Sequence, residues 1–357
     1  MERTQIRVLI VEDSPLARQM LTTVINSDPQ LQVVGVATNG QEAVELAPKL
    51  RPHLITMDIK MPKMDGLEAT KQIMASCPTP ILIVSSSVFK GGMDLAFKAL
   101  AYGALDVIEK NAFEVAGDVG PAAADLITRI KTLAHVKVIT HPLARLERHH
   151  RVMSGPIATP PLREQRLVAM AASTGGPQTL LEILKALPKE FPCGLVIVQH
   201  IASGFSQGLV EWLDAECQIA VQLASDHAKI QPGVAYVAPT GVQMRVVNGG
   251  VIRLTDEGPY DGQKPSGTLL FESVAQVYGE RAVGVILTGM GSDGAVGLKH
   301  LKAAHGHVIA QDEATSIIFG MPKTAIELGV VDEILPLDRI AEAIVKAVTP
   351  LRERVVQ

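Results

Sequence analysis

The chain has 357 residues, 47% hydrophobic and 20% charged, with a formal net charge of −4 and a pI of about 6.2. That length suits two domains, the composition is that of packed globular material, and the slightly acidic balance argues against a general nucleic-acid surface. Three scattered cysteines without a CxxC pair fit a reducing compartment and no structural zinc. No signal-peptide pattern opens the chain and no apolar run approaches the roughly 20 residues that span a bilayer, so a cytoplasmic protein without membrane insertion is expected.

From Ile6 onward, short apolar runs at 6–11, 33–37, 54–57, 81–84 and 106–108 alternate with helical patterns near 15–26, 40–50, 66–75 and 91–102. A further helix is expected after the fifth run. Such alternation predicts a parallel sheet with helices on both faces. Ser14-Pro15 is a helix start, a capping hydroxyl followed by proline at the first helical position. The reactive side chains sit at the strand ends: Glu12 and Asp13 after the first, Asp58 after the third, Ser85 after the fourth and Lys110 after the fifth. In a doubly wound sheet these ends share one edge, where such folds bind ligands. Three carboxylates converging there repel one another unless a cation lies between them, and a hard divalent ion, magnesium most simply, fits an all-oxygen set. Asp58 is then placed to accept a phosphoryl group, with Lys110 and the Ser85 hydroxyl suited to hold its oxygens.

On the motifs VEDSP and MDIKMPKMDG, with Ser85 and Lys110 in order behind them, residues 6–130 resemble a response-regulator receiver domain. The resemblance implies a flavodoxin-like fold, phosphorylation at Asp58, a Mg2+ site made by Glu12, Asp13, Asp58 and the Lys60 carbonyl, and a switch through Ser85 and Lys110. Two positions depart from the pattern. Asn111 follows the lysine where proline is usual, and Val107 stands where an aromatic switch residue is usual.

Residues 135–165 are rich in His, Arg and Pro without sustained periodicity, and they read as a linker between a first domain at 1–134 and a second at 166–349. The segment LERHHR at 146–151 reads as a solvated charged stretch, since no acidic or cysteine partners accompany its histidines.

A second alternating pattern follows, with strands expected at 167–172, 194–199, 283–287 and 307–310 and shorter ones at 234–238, 243–247 and 251–254. Helices are expected at 177–186, 205–215, 267–278, 295–304 and 338–347, and a β-hairpin turn at Asn248-Gly249-Gly250. The run Leu167–Ala172 stops at Ser173-Thr174-Gly175-Gly176 before Pro177 opens a helix. This strand-turn-helix corner is either a nucleophile elbow or a phosphate-cradling turn. Two more strand ends carry reactive groups: His200, closing GLVIVQH, and Asp293, in the glycine-rich VGVILTGMGSDG. A serine needs a base, an imidazole needs its tautomer fixed, and the glycines around Met290 let N–H groups approach an oxyanion. Asp293 reads equally as the cap of the helix that follows it. His227, His300, His305 and His307 rank lower as bases. The order Ser, His, Asp differs from that of the α/β-hydrolases.

AASTGGP, IVQHI, GVAYVAPT, VGVILTGMGSDGAVGL, IAQDEAT and FGMPKTAIELG, behind a receiver and a linker, resemble the chemotaxis response regulator protein-glutamate methylesterase/glutaminase family. The resemblance implies two doubly wound parallel-sheet α/β domains, a flavodoxin-like receiver and a Rossmann-like methylesterase domain. It implies Ser173, His200 and Asp293 as catalytic residues, Thr174 and Met290 as auxiliary ones, and no cofactor for the ester hydrolysis. It also implies methyl-accepting chemoreceptors as substrate, a chemotaxis-type histidine kinase as phosphodonor, and an unphosphorylated receiver that covers the catalytic edge. The stretch Gln263–Thr268 departs from the family's usual Pro-Ser-Val-Asp, and its side chains are expected to line the substrate approach. Two other readings stay open on the residues: a phosphorylation-gated binding protein without catalysis, and a nucleotide-binding second half. The absence of GxGxxG and GxxxxGK[ST] counts against the latter.

Overall fold

The computed structural model describes residues 5–85, 92–110, 120–138 and 166–349, and the chain divides into two compact units, Met1–His149 and His150–Gln357. In the first, β1 (Ile6–Val11), α1 (Pro15–Asn26), β2 (Leu31–Ala37), α2 (Gly40–Leu50), β3 (Leu54–Met57), α3 (Gly66–Ser76), β4 (Ile81–Ser85), α4 (Gly92–Ala101), β5 (Asp106–Glu109) and α5 (Pro121–Leu133) follow one another. All strand pairs are parallel, in the order β2-β1-β3-β4-β5, which is the flavodoxin-like order. The strands are apolar because helices cover both faces; every residue of β3 and β4 is buried. The helices begin where the sequence caps them: Ser14, Asn39 and Asp65 accept N–H groups from Ala17, Glu42 and Glu68.

The second unit contains β6 (Leu167–Ala172), α6 (Gly176–Ala186), β7 (Gly194–Gln199), α7 (Ser206–Glu216), β8 (Ala220–Leu223), β9 (Val234–Val237), β10 (Gln243–Val247), β11 (Val251–Thr255), α8 (Gly267–Tyr278), β12 (Ala282–Ile286), α9 (Ala295–Ala303), β13 (His307–Gln311), α10 (Met321–Glu327), β14 (Glu333–Leu335) and α11 (Leu337–Val348). Seven strands form a parallel sheet in the order β14-β13-β12-β6-β7-β9-β8. From β6 the chain passes on one flank to β7, then to the edge strand β8 and back to β9 between them, crosses to β12 on the other flank, and walks outward to β14. The loops after β6 and β12 therefore meet at the topological switch point, where open α/β sheets bind ligands. The hairpin β10–β11 stands apart as an antiparallel pair; it packs Met244, Val246 and Ile252 against Leu270, Phe271 and Val274, and Val246 N–H donates to Ser273 Oγ at 2.9 Å.

Expectation and structure differ at the rims. The sequence reading has no β8, β14 or α10. β8 and β14 are edge strands of four and three residues, and only Val221 of β8 is buried, so neither presents an apolar run. α10 has seven residues, too few for a helical period to stand out. Asn111, the LERHHR segment and the linker from 139 onward lie outside the described residues. Among the described residues no helix is long and apolar enough to cross a membrane.

Candidate active site and phosphoacceptor cluster

In the first unit the carboxyl ends of β1, β3 and β5 bring four predicted residues together. Glu12, Asp13 and Asp58 each offer an oxygen within 4.8 Å of the others. Lys110 Nζ lies 2.6 Å from Glu12 Oε1 and 3.1 Å from Asp58 Oδ2. Asp58 Oδ1 accepts the Ile59 N–H at 2.7 Å. Burial pushes the Glu12 carboxyl up, more than its bond to Lys110 pulls it down; burial likewise raises Asp58 against the opposing charge of Lys110. Burial alone would lower Lys110, but the bond to Glu12 and the charge of Asp58 outweigh it and hold the ammonium charged. One ammonium faces three carboxylates, so a hard divalent cation fits both the charge and the all-oxygen donor set. Ser85 is buried at the end of β4, where its carbonyl accepts the Lys110 N–H at 3.0 Å. Val107 is buried in β5. Gly66 has a steric reason: a Cβ there would lie 2.0 Å from the Asp58 carbonyl oxygen.

In the second unit Ser173, His200 and Asp293 stand at the carboxyl ends of β6, β7 and β12, all on one edge. His200 Nε2 lies 2.9 Å from Asp293 Oδ2, and the pair is almost fully buried. The His200 N–H donates to Ala172 O at 2.9 Å, and Gln199 Nε2 donates to Ser173 O at 2.7 Å and to His200 O at 2.9 Å. The structure thus ties the Ser173 turn to the His200 backbone, while no hydrogen bond joins Ser173 Oγ to the imidazole. Such contacts are often loose in free enzymes and tighten with substrate. Ser173 N–H is spent on Thr288 O at 3.0 Å. Among the described residues the N–H groups of Thr174 and Met290 find no acceptor, although Thr174 is buried. The loop after β12 reaches this close because residue 289 is glycine: a Cβ there would lie 2.7 Å from Ser173 Cβ.

Within the stretch 263–268, Gln263 and Lys264 are half-buried, whereas Ser266 and Thr268 are buried and turned to Asp293. Ser266 Oγ and Thr268 N–H donate to Asp293 Oδ1 at 2.8 and 3.0 Å, and Gly267 N–H donates to Oδ2 at 2.6 Å. Asp293 does sit at a helix N-terminus, but that of α8; the cap of α9 is Gly294, at φ 90°. Burial alone would raise the Asp293 carboxyl, yet the bond to His200, its charge and the α8 N–H groups more than offset this and bring it down to about 2. A depressed carboxyl stabilises the fold above its ordinary 3.8 and loses that contribution as pH falls through about 2, a span worth about 2 kcal/mol. Acid unfolding of Asp293→Asn should lack this part of the parent's slope. An identical slope would show that the carboxylate is not so held.

The rival histidines lie elsewhere. His227 is exposed and pairs with Asp226 at 3.3 Å, and His300 pairs with Glu272 at 3.2 Å. His307 opens β13, so it sits at the opposite, amino edge of the sheet, and His305 lies just before it. Sequence reasoning gave no role to Gln199, Thr288 or Gln311. Thr288 Oγ1 donates to Thr174 O at 3.0 Å and its N–H donates to Gln311 Oε1 at 2.8 Å, fixing the two loops to each other. The only signal was an uncharged polar residue closing an apolar strand. At Gly176 a Cβ would fall 1.9 Å from Gln199 Oε1 and 2.8 Å from Ala172 Cβ. Gly176→Ala should therefore displace Gln199, cost roughly 1–3 kcal/mol of stability and lower turnover about tenfold or more. Parent-like melting and turnover would show the amide to be dispensable.

Two family models match the chain: a response regulator receiver domain over residues 8–115 and a CheB methylesterase over residues 168–344. A protein of Syntrophus aciditrophicus (strain SB), named protein-glutamate methylesterase/protein-glutamine glutaminase 1, is 45% identical over 347 residues, 96% of this chain and 98% of its own. A Pyrococcus abyssi protein named protein-glutamate methylesterase/protein-glutamine glutaminase is 41% identical over 98% of this chain and 95% of its own. This chain belongs to the protein-glutamate methylesterase/protein-glutamine glutaminase family. It is a hydrolase of that family with a receiver domain ahead of its methylesterase domain. Solved structures of the Thermotoga maritima CheB methylesterase catalytic domain (36% identical, 51% of this chain and 98% of that one, TM-score 0.49) and response regulator domain (41% identical, 37% and 98%, TM-score 0.34) are also similar.

Proposed function

We propose that residues 166–349 hydrolyse glutamate methyl esters, and deamidate glutamines, on methyl-accepting chemoreceptors, with Ser173 as nucleophile. Residues 1–134 are then the regulating receiver and 135–165 the linker. The observation that carries this reading is the buried His200–Asp293 pair beside the Ser173 turn at the switch point of the sheet. Asp293 occupies Nε2, so Nδ1 is the nitrogen left to take the Ser173 proton, the reverse of the arrangement in chymotrypsin-like proteases. Ser173 Oγ bonds to the ester carbonyl carbon as the imidazole accepts its proton. The unspent N–H groups of Thr174 and Met290 receive the oxyanion. Methanol leaves with the proton from the imidazolium, and water, deprotonated by His200, releases the glutamate side chain from the acyl-enzyme. An amide in place of the ester yields ammonia by the same steps. No cofactor is needed.

Asp58 is the site of phosphorylation, supplied by a chemotaxis-type histidine kinase. Glu12, Asp13 and Asp58 would hold Mg2+, which neutralises charge around the phosphoryl group when bound. Lys110 and Ser85 hold the phosphoryl oxygens, and the charge added at Asp58 biases the receiver toward a state that permits catalysis. The reading places the protein in the cytoplasm. Its test is methanol release from methylated receptor membranes with and without a small-molecule phosphodonor. Release that rises with the donor supports it, and absence of release under both conditions rejects it.

A further inference from the structure

We propose that Ser266 is a positioning residue for the hydrolysis: its hydroxyl, seated by Gln243, fixes the plane of the Asp293 carboxylate toward His200. The inference rests on the reading of Asp293 as the group that orients the imidazole. Each Asp293 oxygen has two donors. Oδ1 takes Ser266 Oγ and Thr268 N–H, and Oδ2 takes Gly267 N–H and His200 Nε2. Two of the four come with the N-terminus of α8 whatever its sequence. Among the described residues Ser266 Oγ is the only side-chain donor to Asp293 apart from the imidazole itself. Its bond as the cap of α8, from Leu269 N–H, is long at 3.4 Å, whereas its bond to the carboxylate is 2.8 Å. The single hydroxyl proton thus goes to Asp293, while a lone pair takes the longer cap bond of the helix.

The seat of Ser266 is built for this. The residue is fully buried, and its N–H donates to Gln243 Oε1 at 2.8 Å. Gln243 is also fully buried at the start of β10 and spends its amide N–H groups on Gly258 O at 3.2 Å and Gln263 O at 3.0 Å. The hairpin thus fixes where the α8 N-terminus begins. Residue 267 is glycine at the closest approach: a Cβ there would meet Ala171 Cβ at 2.8 Å and Asp293 Oδ2 at 3.3 Å. A hydroxyl in a buried site, bound to an ionised acceptor, makes one of the stronger neutral-to-charged hydrogen bonds.

The test uses the full-length protein and methanol release from methylated receptor membranes. Ser266→Ala should lower kcat about tenfold to a hundredfold with KM changed less than about twofold, because the loss falls on the transition state. Ser266→Thr, which keeps the hydroxyl, should restore most of kcat. Ser266→Gly, which costs a helix start only a few tenths of a kcal/mol, should behave like the alanine variant. In an Asp293→Ala background Ser266→Ala should cost nothing further, since its effect passes through the carboxylate. Parent-like kcat in Ser266→Ala and Ser266→Gly, or an equal loss in both backgrounds, overturns the proposal. Full turnover by Asp293→Ala alone would instead overturn the underlying reading of Asp293.

Discussion

Ser173→Ala is expected to lower methanol release from methylated receptor by about 10⁴-fold or more, with phosphorylation at Asp58 unaffected. The hydroxyl is the one group in the proposed mechanism that forms a covalent bond with substrate, and nothing adjacent replaces it. Thr174 follows directly, but its backbone is fixed by the bond from Thr288 Oγ1 to its carbonyl, so it cannot simply move into the place of residue 173. The residual rate should come from the unspent N–H groups of Thr174 and Met290 acting on a water-derived oxyanion. It should therefore be insensitive to a serine-directed fluorophosphonate, which labels the parent. His200→Ala is expected to fall by a similar amount, and the double variant by little more, because nucleophile and base act as one unit. The melting temperature of Ser173→Ala should stay near that of the parent, since removing one hydroxyl oxygen leaves the strand end filled by Cβ. Turnover near the parent's in a folded Ser173→Ala protein would remove Ser173 as nucleophile and leave the catalytic unit as a binding module.

The residues at strand ends were legible in the sequence because a parallel sheet puts all its carboxyl ends on one edge, so an apolar run followed by Ser, His or Asp announces its own location. β1, β3, β6, β7, β10 and the helices α1, α2 and α8 stand at the expected residues for the same reason: each is a buried run or a capped amphipathic segment. What surrounds the strand ends was less visible. Asp293 and Ser266 lie 27 residues apart, and no local pattern indicates that the carboxylate turns back to α8 instead of capping α9. A Ser-Gly-Thr stretch before a helix looks the same whether it faces a substrate or a buried carboxylate. Gln243, Gln199 and Gln311 are uncharged residues whose side chains bond mainly to backbone groups of other segments, and such a side chain leaves no periodicity to read. The edge strands β8 and β14 escaped because burial, which makes strands apolar, is weakest at a rim.

Asp58→Asn is expected to abolish the response to a phosphodonor, so that the ratio of methanol release with and without donor falls to about 1 from the 5- to 150-fold that regulatory couplings usually span. Asparagine keeps the size of the side chain and an oxygen for the Ile59 N–H, now bound by Asp58 Oδ1 at 2.7 Å, but it offers no carboxylate to form the acyl phosphate. It also removes one negative charge from the Glu12, Asp13 and Asp58 cluster, which weakens the case for a divalent cation there and leaves Lys110 drawn to Glu12 alone. Loss of magnesium affinity in the same variant, followed by titration of the unphosphorylated protein, should accompany loss of the response. The two losses have one physical origin, a carboxylate that is both ligand and acceptor. A variant that still responds to the donor like the parent would place the phosphoryl group on another residue or detach regulation from the receiver. The Ser173 reading would survive that result, because Ser173, His200 and Asp293 are placed by β6, β7 and β12 of the second unit's own sheet.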